Sequence, residues 1–412
     1  PEGVTEIKRG TFYWCTSLTS VSIPDSVTSI GEDAFYSCTG LKALTIPDGV
    51  TNIGDRAFGL CSNLTSVMIG NSVTSIGSVA FSGCSSLANI TITDSVTSVG
   101  RGAFEGTAYY QNDDNWENDI LYLNNCLIKA NVGSECVIRE STTVIGDEAF
   151  SWCSSLTSVT IPNGVINIGN SAFSDCRNLI SIVIPDSVTN IGDSAFSSCH
   201  NLKEVTIGRG VERIGSSAFG YCENLENISL PSNVSSIGQD AFKKCKSLQY
   251  INIPKGVPAI KGYTFESCNS LTSISIPQSV KEIGGWAFYD CSSLLDVYYD
   301  GTQDEWNNID IYDFGNKYLN SATIHYQAIS AHTKTTVSKD RKTFDVKPVN
   351  ISAGNTVILA LYDNGKFIEM QTEKYNGIDI QFVTDKSYTN AKVMVWESFE
   401  NMKPVCQAEI VK

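Results

Sequence analysis

The chain repeats itself every 23 residues, and no other property narrows its fold as far. Phenylalanine recurs in phase at Phe12, Phe35, Phe58, Phe81 and Phe104, then at Phe150, Phe173, Phe196, Phe219, Phe242, Phe265 and Phe288. Eleven of the 14 cysteines keep the same step: Cys15, Cys38, Cys61 and Cys84, then Cys153, Cys176, Cys199, Cys222, Cys245, Cys268 and Cys291. A fixed period between about 20 and 50 residues marks a solenoid built from stacked copies of one unit.

The unit reads Ile-Gly-x-x-Ala-Phe-x-x-Cys-x-x-Leu-x-x-Val-x-Ile-Pro-x-x-Val, as in Ile30-Gly31, Ala34-Phe35, Cys38, Leu41, Leu44, Ile46-Pro47 and Val50. Its apolar positions fall three apart from Ala to Leu, which predicts a short helix or 3₁₀ turn with one inward face. They alternate in Val-x-Ile, which predicts a short strand. Proline ends that strand because it lacks a donor and restricts the residue before it. The glycine after Ile supplies a turn where a side chain would clash. One coil cannot bury its own Phe, Leu, Val and Ile, whereas stacked coils can. About thirteen coils at a spacing of about 4.8 Å make a rod or arc roughly 60 Å long. The expected class is an α/β leucine-rich repeat solenoid, a parallel sheet backed by helical turns.

One cysteine per unit means one shared position, and cysteine packs as a small hydrophobe in cores. Buried free thiols are therefore expected; parallel side chains on stacked coils disfavour the disulfide torsion near 90°. No Cys-x-x-Cys pair or Cys/His cluster suggests zinc.

The unit resembles the BspA-like class of bacterial leucine-rich repeats over about residues 1–326, because Ile-Gly, Ala-Phe, Cys, Leu and Ile-Pro recur together. The resemblance implies a surface or secreted protein. Ordinary leucine-rich repeats carry an Asn after the strand, where this chain has Ser26, Gly49, Ser72 or Ser95. The capping done by that Asn must be filled otherwise.

The pattern lapses after Phe104 and recovers by Ile145-Gly146. Phe104 and Phe150 are 46 residues apart, two periods, so one coil at 105–140 is rebuilt while the stack keeps phase. Counting by 23 places Leu127 on the vacant Phe rung, Cys126-Leu127 in the Ala-Phe place, and Cys136 at an inward strand position. A Cys126–Cys136 disulfide stays open. The acidic run Asp113 to Asp119 lacks the Gly and terminal Glu of an EF-hand loop and reads as solvated. Regular units end at Val297-Tyr298-Tyr299. A helical start at Gln303 to Trp306 and a strand at Ala322 to Tyr326 then form a cap over 300–326, with Trp306 as its plug.

Beyond residue 326 the period vanishes. Alternation predicts strands at Thr343–Val349, Thr356–Tyr362, Lys366–Gln371, Ile378–Val383, Ala391–Glu397 and Gln407–Val411, with a hairpin turn at Asp363-Asn364-Gly365. Residues 327–412 are expected to form a β-sandwich of immunoglobulin or fibronectin type III kind. Trp396 reads as core packing and Cys406 as a lone thiol.

A net charge of -15 and a pI near 4.7 repel a phosphate backbone, which excludes nucleic acid as a partner. No run of eighteen apolar residues suggests a transmembrane segment. The chain opens in mid-repeat, so an upstream piece carrying a secretion signal is expected. Only three histidines occur, His200, His325 and His332, none in a recognisable nucleophile, metal or phosphate-loop setting, and neither catalysis nor a cofactor is expected. His200 reads as an exposed turn residue.

That leaves binding. The outward strand positions are small and hydroxyl-rich at first: Ser20 and Ser22, Ala43 and Thr45, Ser66 and Met68. Toward the C-terminal end they turn acidic and aromatic, at Glu204, Tyr250, Asp296 and Tyr298, while Tyr263 and Trp286 share one repeat position and should stack. These six residues are the candidate ligand contacts, since aromatics on rigid scaffolds anchor partners. A protein partner, of host or matrix origin, is expected; a polysaccharide or a purely structural spacer role is the alternative.

Overall fold

The computed structural model describes residues 3–326, 332–338, 341–349, 356–363, 366–374, 380–388, 390–396 and 404–411. The repeats form a parallel β-solenoid of about 14 turns. Each regular coil gives two short strands. A two-residue strand ends on the Ile before Gly, and a longer one spans Val-x-Ile. Each pairs with its counterpart one period on, so Ile30, Ile53, Ile76 and Val99 make one ladder and Leu44, Val67 and Ile90 another.

The expected helical turns are absent from the regular coils: the described helices lie in the rebuilt coil and the cap. The Ala-Phe-x-x-Cys segment is instead a run of tight turns. Asp33, Phe35 and Ser37 donate their N–H groups to Asp55, Ala57 and Gly59 of the next coil at 2.9, 2.7 and 2.8 Å. Between them, Ala34, Tyr36 and Cys38 close turns onto Gly31, Asp33 and Phe35. The alternation requires left-handed residues, and Asp33 and Ser37 both sit at φ 57°. A left-handed L-residue costs about 1–2 kcal/mol. The hydrogen bond to the next coil offsets that cost, and a helix, whose donors point back along its own axis, could not make it.

Close stacking explains the glycine better than a turn does. A Cβ on Gly54 would lie 2.6 Å from the N of Glu32, and one on Gly238 would lie 2.3 Å from the N of Ser216, both backbone atoms of the preceding coil. The absent Asn is replaced by serine: Ser26, Ser95, Ser187 and Ser279 donate to the carbonyls of Val4, Val73, Val165 and Val257 at 2.6–2.9 Å.

Inside, the Phe rings stack face to face, with centroids 5.0 Å apart for Phe35–Phe58 and 5.1 Å for Phe173–Phe196. The cysteines stand beside them as free thiols, all buried except Cys15 among the described residues. Their regularity has a polar cause as well as an apolar one. Cys61 donates its S–H to the carbonyl of Phe35 at 3.2 Å, Cys199 to Phe173 at 3.1 Å and Cys291 to Phe265 at 3.0 Å. Alanine would fill the space but leave that carbonyl with one donor fewer.

The rebuilt coil corrects the register counted from the sequence. An antiparallel hairpin, Ile120–Leu123 with Cys126–Ala130, enters the stack, and Leu127 pairs with Ile145, 18 residues on rather than 23. Leu127 thus takes the Ile-before-Gly rung. Ala130 takes the Phe rung, donating to Ala149 O at 2.8 Å and accepting from Cys153 Sγ at 3.4 Å. Cys136 does pair with Val159 as expected, and it and Cys126 are separate free thiols. The hairpin is a wedge. Leu123, Cys126 and Ile128 pack into the core of the coils before it, and Tyr122, Leu127 and Ala130 into the core of those after it.

The chain beyond the last regular coil folds onto the stack. Helix Gln303–Asn307 begins with a capping box between Thr302 and Glu305, Trp306 is buried edge-on against Tyr299 at 5.2 Å, and Thr323–Tyr326 pairs with Asp296–Tyr299.

In the C-terminal segment, His332–Val337, Thr343–Val349 and Ile380–Val383 form one antiparallel sheet. Lys366–Lys374, Thr356–Asp363, Asn390–Trp396 and Pro404–Val411 form another in that order. Phe344, Val346 and Phe382 of the first share a buried cluster with Val357, Leu359 and Val393 of the second. The turn residues Asn364-Gly365, the side chains of Trp396 and Cys406, and residues 327–331 at the expected domain boundary lie outside the described residues.

Candidate functional site

The outward strand positions are exposed along most of the stack, and they are less uniform than their hydroxyl content suggests. Met68, Val137 and Val183 stand 57%, 74% and 62% exposed among Ser and Thr neighbours. They are scattered singly, which is ordinary for a protein surface. Met68 stands out in the sequence as the one long side chain among Ser and Thr, whereas the two valines carry neither charge nor a ring to mark them.

The structure divides the six sequence candidates. Glu204, Tyr250, Asp296 and Tyr298 lie on the strand face. Glu204 is exposed, but the face closes toward the C-terminal end. Tyr298 is only 8% exposed and stacks on His325 at 4.8 Å, and His325 Nε2 lies 2.7 Å from Asp296 Oδ1. Tyr250 is half-buried; burial pushes its phenol upward, against the hydrogen bond it makes with Ser275. These rings therefore belong to an internal polar cluster. Counting along the strands from Tyr298 would have found Ser275 a period earlier, whereas the cap breaks the period before His325. His200, expected as an exposed turn residue, is half-buried, with Nδ1 3.1 Å from Tyr221 O.

Tyr263 and Trp286 occupy the turn segment instead. Both sit at the left-handed position before the buried turn, φ 59° and 57°, which turns their side chains out of the core. Their rings stack in parallel at 5.3 Å, as the shared position predicts. Lys243 Nζ lies 5.0 Å from the Tyr263 ring, and Phe314 from the cap continues the stack 5.8 Å beyond Trp286. Trp286 is 39% and Phe314 68% exposed. Phe314 was invisible to the repeat argument because it follows the last regular unit; Gly315 behind it is held at φ 79° with no room for a Cβ against Trp286.

Among the described residues no group of three or more His, Cys, Asp or Glu is placed to hold a metal ion. The acidic run folds as a 3₁₀ turn, Asp113–Asn115, then the strand Trp116–Glu117 and a turn at Asn118-Asp119. No described helix is long and apolar enough to cross a membrane.

Short parallel strands repeated every 23 residues around a core of Leu, Ile and Phe define a leucine-rich repeat solenoid. The chain belongs to the BspA type leucine rich repeat family, whose pattern matches residues 1–116, 123–228 and 212–335. It is similar to a leucine rich cell surface protein from Faecalibacterium prausnitzii, at 30% identity over 74% of this chain and 86% of that one, with a TM-score of 0.32. It is also similar to a leucine-rich repeat protein from Bacteroides ovatus, at 27% identity over 75% and 92% of the two chains, TM-score 0.29. The pneumococcal vaccine antigen PcpA aligns at 16% identity over 74% and 87%, TM-score 0.34. No curated protein matches the chain.

Proposed function

We propose that the chain is a non-catalytic binding module displayed outside the cell or on its surface, and that it recognises a protein through the aromatic edge at the C-terminal end of its repeats. The stack Tyr263–Trp286–Phe314 carries this reading. Three rings held by neighbouring coils form a rigid, partly exposed apolar ridge, the kind of anchor that dominates protein interfaces. Glu204, exposed on the strand face, extends the proposed contact region, whereas Tyr250, Asp296 and Tyr298 form the internal polar cluster beside it. Trp286 is stacked on both faces and leaves its edge for a protein pocket. A sugar that binds by stacking on an aromatic face is less well served there. Polysaccharide association and a spacer role remain the competing outcomes. The cell-surface description of the Faecalibacterium relative supports display outside the cell.

The C-terminal segment, 327–412, is proposed as a separate sandwich of fibronectin type III or immunoglobulin kind. Its support is the two-sheet arrangement of three and four antiparallel strands around one core.

The test is a binding screen of the chain against purified matrix proteins and polysaccharides, repeated with Trp286→Asn and Phe314→Ser. A bound matrix protein should lose about tenfold or more in affinity with each substitution while the melting temperature holds. Ser20→Ala and Ser22→Ala should change little. Binding to polysaccharides alone, or ring substitutions that lower stability but not affinity, would overturn the reading.

A further inference from the structure

We propose that the rebuilt coil creates a second, independent binding site, a polar cleft for a neutral sugar of one or two pyranose rings. On one edge of the stack a threonine ladder ties each coil to the last, Thr51 to Thr28 O at 3.1 Å, Thr74 to Thr51 O at 3.2 Å and Thr97 to Thr74 O at 3.3 Å. After Thr97 the ladder stops. The coil that should follow is replaced by the wedge hairpin, whose Asn125 donates to Thr143 Oγ1 at 2.5 Å. Between the turn at Asp94 and the edge at Ser141 and Ile166 a cleft of about 750 Å³ opens, within the size range of small-ligand sites.

Its floor is fixed before anything binds. Tyr109 donates its hydroxyl hydrogen to Tyr122 O at 2.6 Å, and the Tyr122 hydroxyl accepts from the backbone N–H of Arg139 at 3.1 Å. The Arg139 guanidinium lies over the Tyr122 ring at 4.2 Å. One of its terminal nitrogens donates to Asn124 O and the other lies 3.5 Å from Glu117. Its third nitrogen, Nε, is buried and has no partner among the described residues. An orphaned donor in a charged group is a standing cost in the floor of the cleft.

The lining selects the ligand class. Arg139 and the Asn124 amide donate; Asp94 and Glu117 accept; Ser141 and Thr143 do both. Asp94 Oδ1 already holds Asn124 Nδ2 at 2.8 Å, which presets the pair. Donors and acceptors interleaved at this density match hydroxyl groups, each of which donates and accepts. Two carboxylates on a chain of net charge -15 oppose an anion; Arg139 offsets Glu117 and the Asn124 amide engages Asp94, which weakens the pull on a cation, and the polar walls offer an apolar guest little.

Saturation-transfer NMR on the full chain tests this with D-glucose, D-galactose, D-mannose and N-acetyl-D-glucosamine, against D-glucuronate and D-glucosamine as charged counterparts. At least one neutral sugar should bind saturably, with its charged counterparts about tenfold weaker or more. Ser141→Trp, at an exposed rim position, should fill the cleft and abolish the signal. Asp94→Ala, at an exposed turn, should weaken it at least about tenfold without relying on the bulky change. Trp286→Asn should leave it intact, which separates this site from the aromatic ridge. Silence from every neutral sugar, equal binding of the charged ones, or a signal that survives both cleft substitutions would overturn the proposal.

Discussion

The regular coils and the rebuilt coil occupy the same stack and use their residues in opposite ways. In a regular coil nearly every position is set by the copy before it: the glycine by backbone 2.3–2.7 Å away in coils such as those of Gly54 and Gly238, the cysteine by a carbonyl, the phenylalanine by two flanking rings. Between Phe104 and Phe150 the chain spends two periods but honours the pattern only at its ends. A solenoid thus tolerates a rebuilt unit when the ladders on either side still meet in phase. What is released inside the unit, here Tyr109, Tyr122, Asn124 and Arg139, is free to line a cleft.

The largest effect should come from the thiols, and it should follow this division. Burial pushes Cys222 and Cys291 up to about 12, and Cys38 up to about 11. A folded-state value above the unfolded one favours the fold at every pH below the unfolded value, about 9, and the benefit is lost as pH rises through the folded value. Because the ladder carries many such thiols, unfolding should be steep between about pH 9 and 12 and flat between 6 and 8. Alkylation near pH 8 with peptide mapping should label Cys15 first. Cys136 and Cys153, at 7% and 9% exposure beside the rebuilt coil, should follow, and the fully buried Cys176 to Cys291 should react last. Uniform slow labelling would erase the distinction between the two kinds of coil.

How much of this could be read from the letters depends on whether a neighbour repeats. The strand ladders, the inward Phe and Cys rungs and the Tyr263–Trp286 stack all follow from counting by 23, and the cap helix at Gln303 to Trp306 from its local pattern after the last unit. The turn segment reads as helical in the sequence because apolar spacing of three fits a 3₁₀ turn and a run of left-handed turns equally. Gly83, Gly102 and Gly106, all at positive φ on positions held elsewhere by Asp, Ser or Tyr, were the available hint. Leu127 was assigned to the Phe rung because counting assumes constant coil length, and the hairpin displaces it to the Ile rung. The buried state of Tyr298 and the cleft around Arg139 depend on chain segments outside the repeat, on which periodicity is silent.

A single ring deletion probes the regular side. Phe196 lies fully buried between Phe173 at 5.1 Å and Phe219 at 5.3 Å. Phe196→Ala should cost about 3–5 kcal/mol, measured as the shift in urea unfolding. Because each coil touches only its neighbours, the loss should also localise, raising hydrogen exchange in the coils of Phe173 to Phe219 before those near Phe35. A loss spread evenly over both blocks would mean that the wedge hairpin couples the two cores more tightly than their separate packing implies.

The smallest effects discriminate best, because one residue type changes in both settings. Adding a methyl group at Gly238 brings Cβ within 2.3 Å of Ser216 N and 2.5 Å of Gly215 C, atoms that cannot retreat without opening the coil-to-coil hydrogen bonds. Gly238→Ala should therefore lose about 1–3 kcal/mol or more. Gly133, in the rebuilt coil, has nothing within 4 Å of its would-be Cβ and no positive φ. Gly133→Ala should be neutral or gain about 0.4–1 kcal/mol by reducing the freedom of the unfolded chain. The double variant should equal the sum of the two, since the sites share no partner. A silent Gly238→Ala would show that the coils are not in backbone contact, and a costly Gly133→Ala that the rebuilt coil is as constrained as the rest.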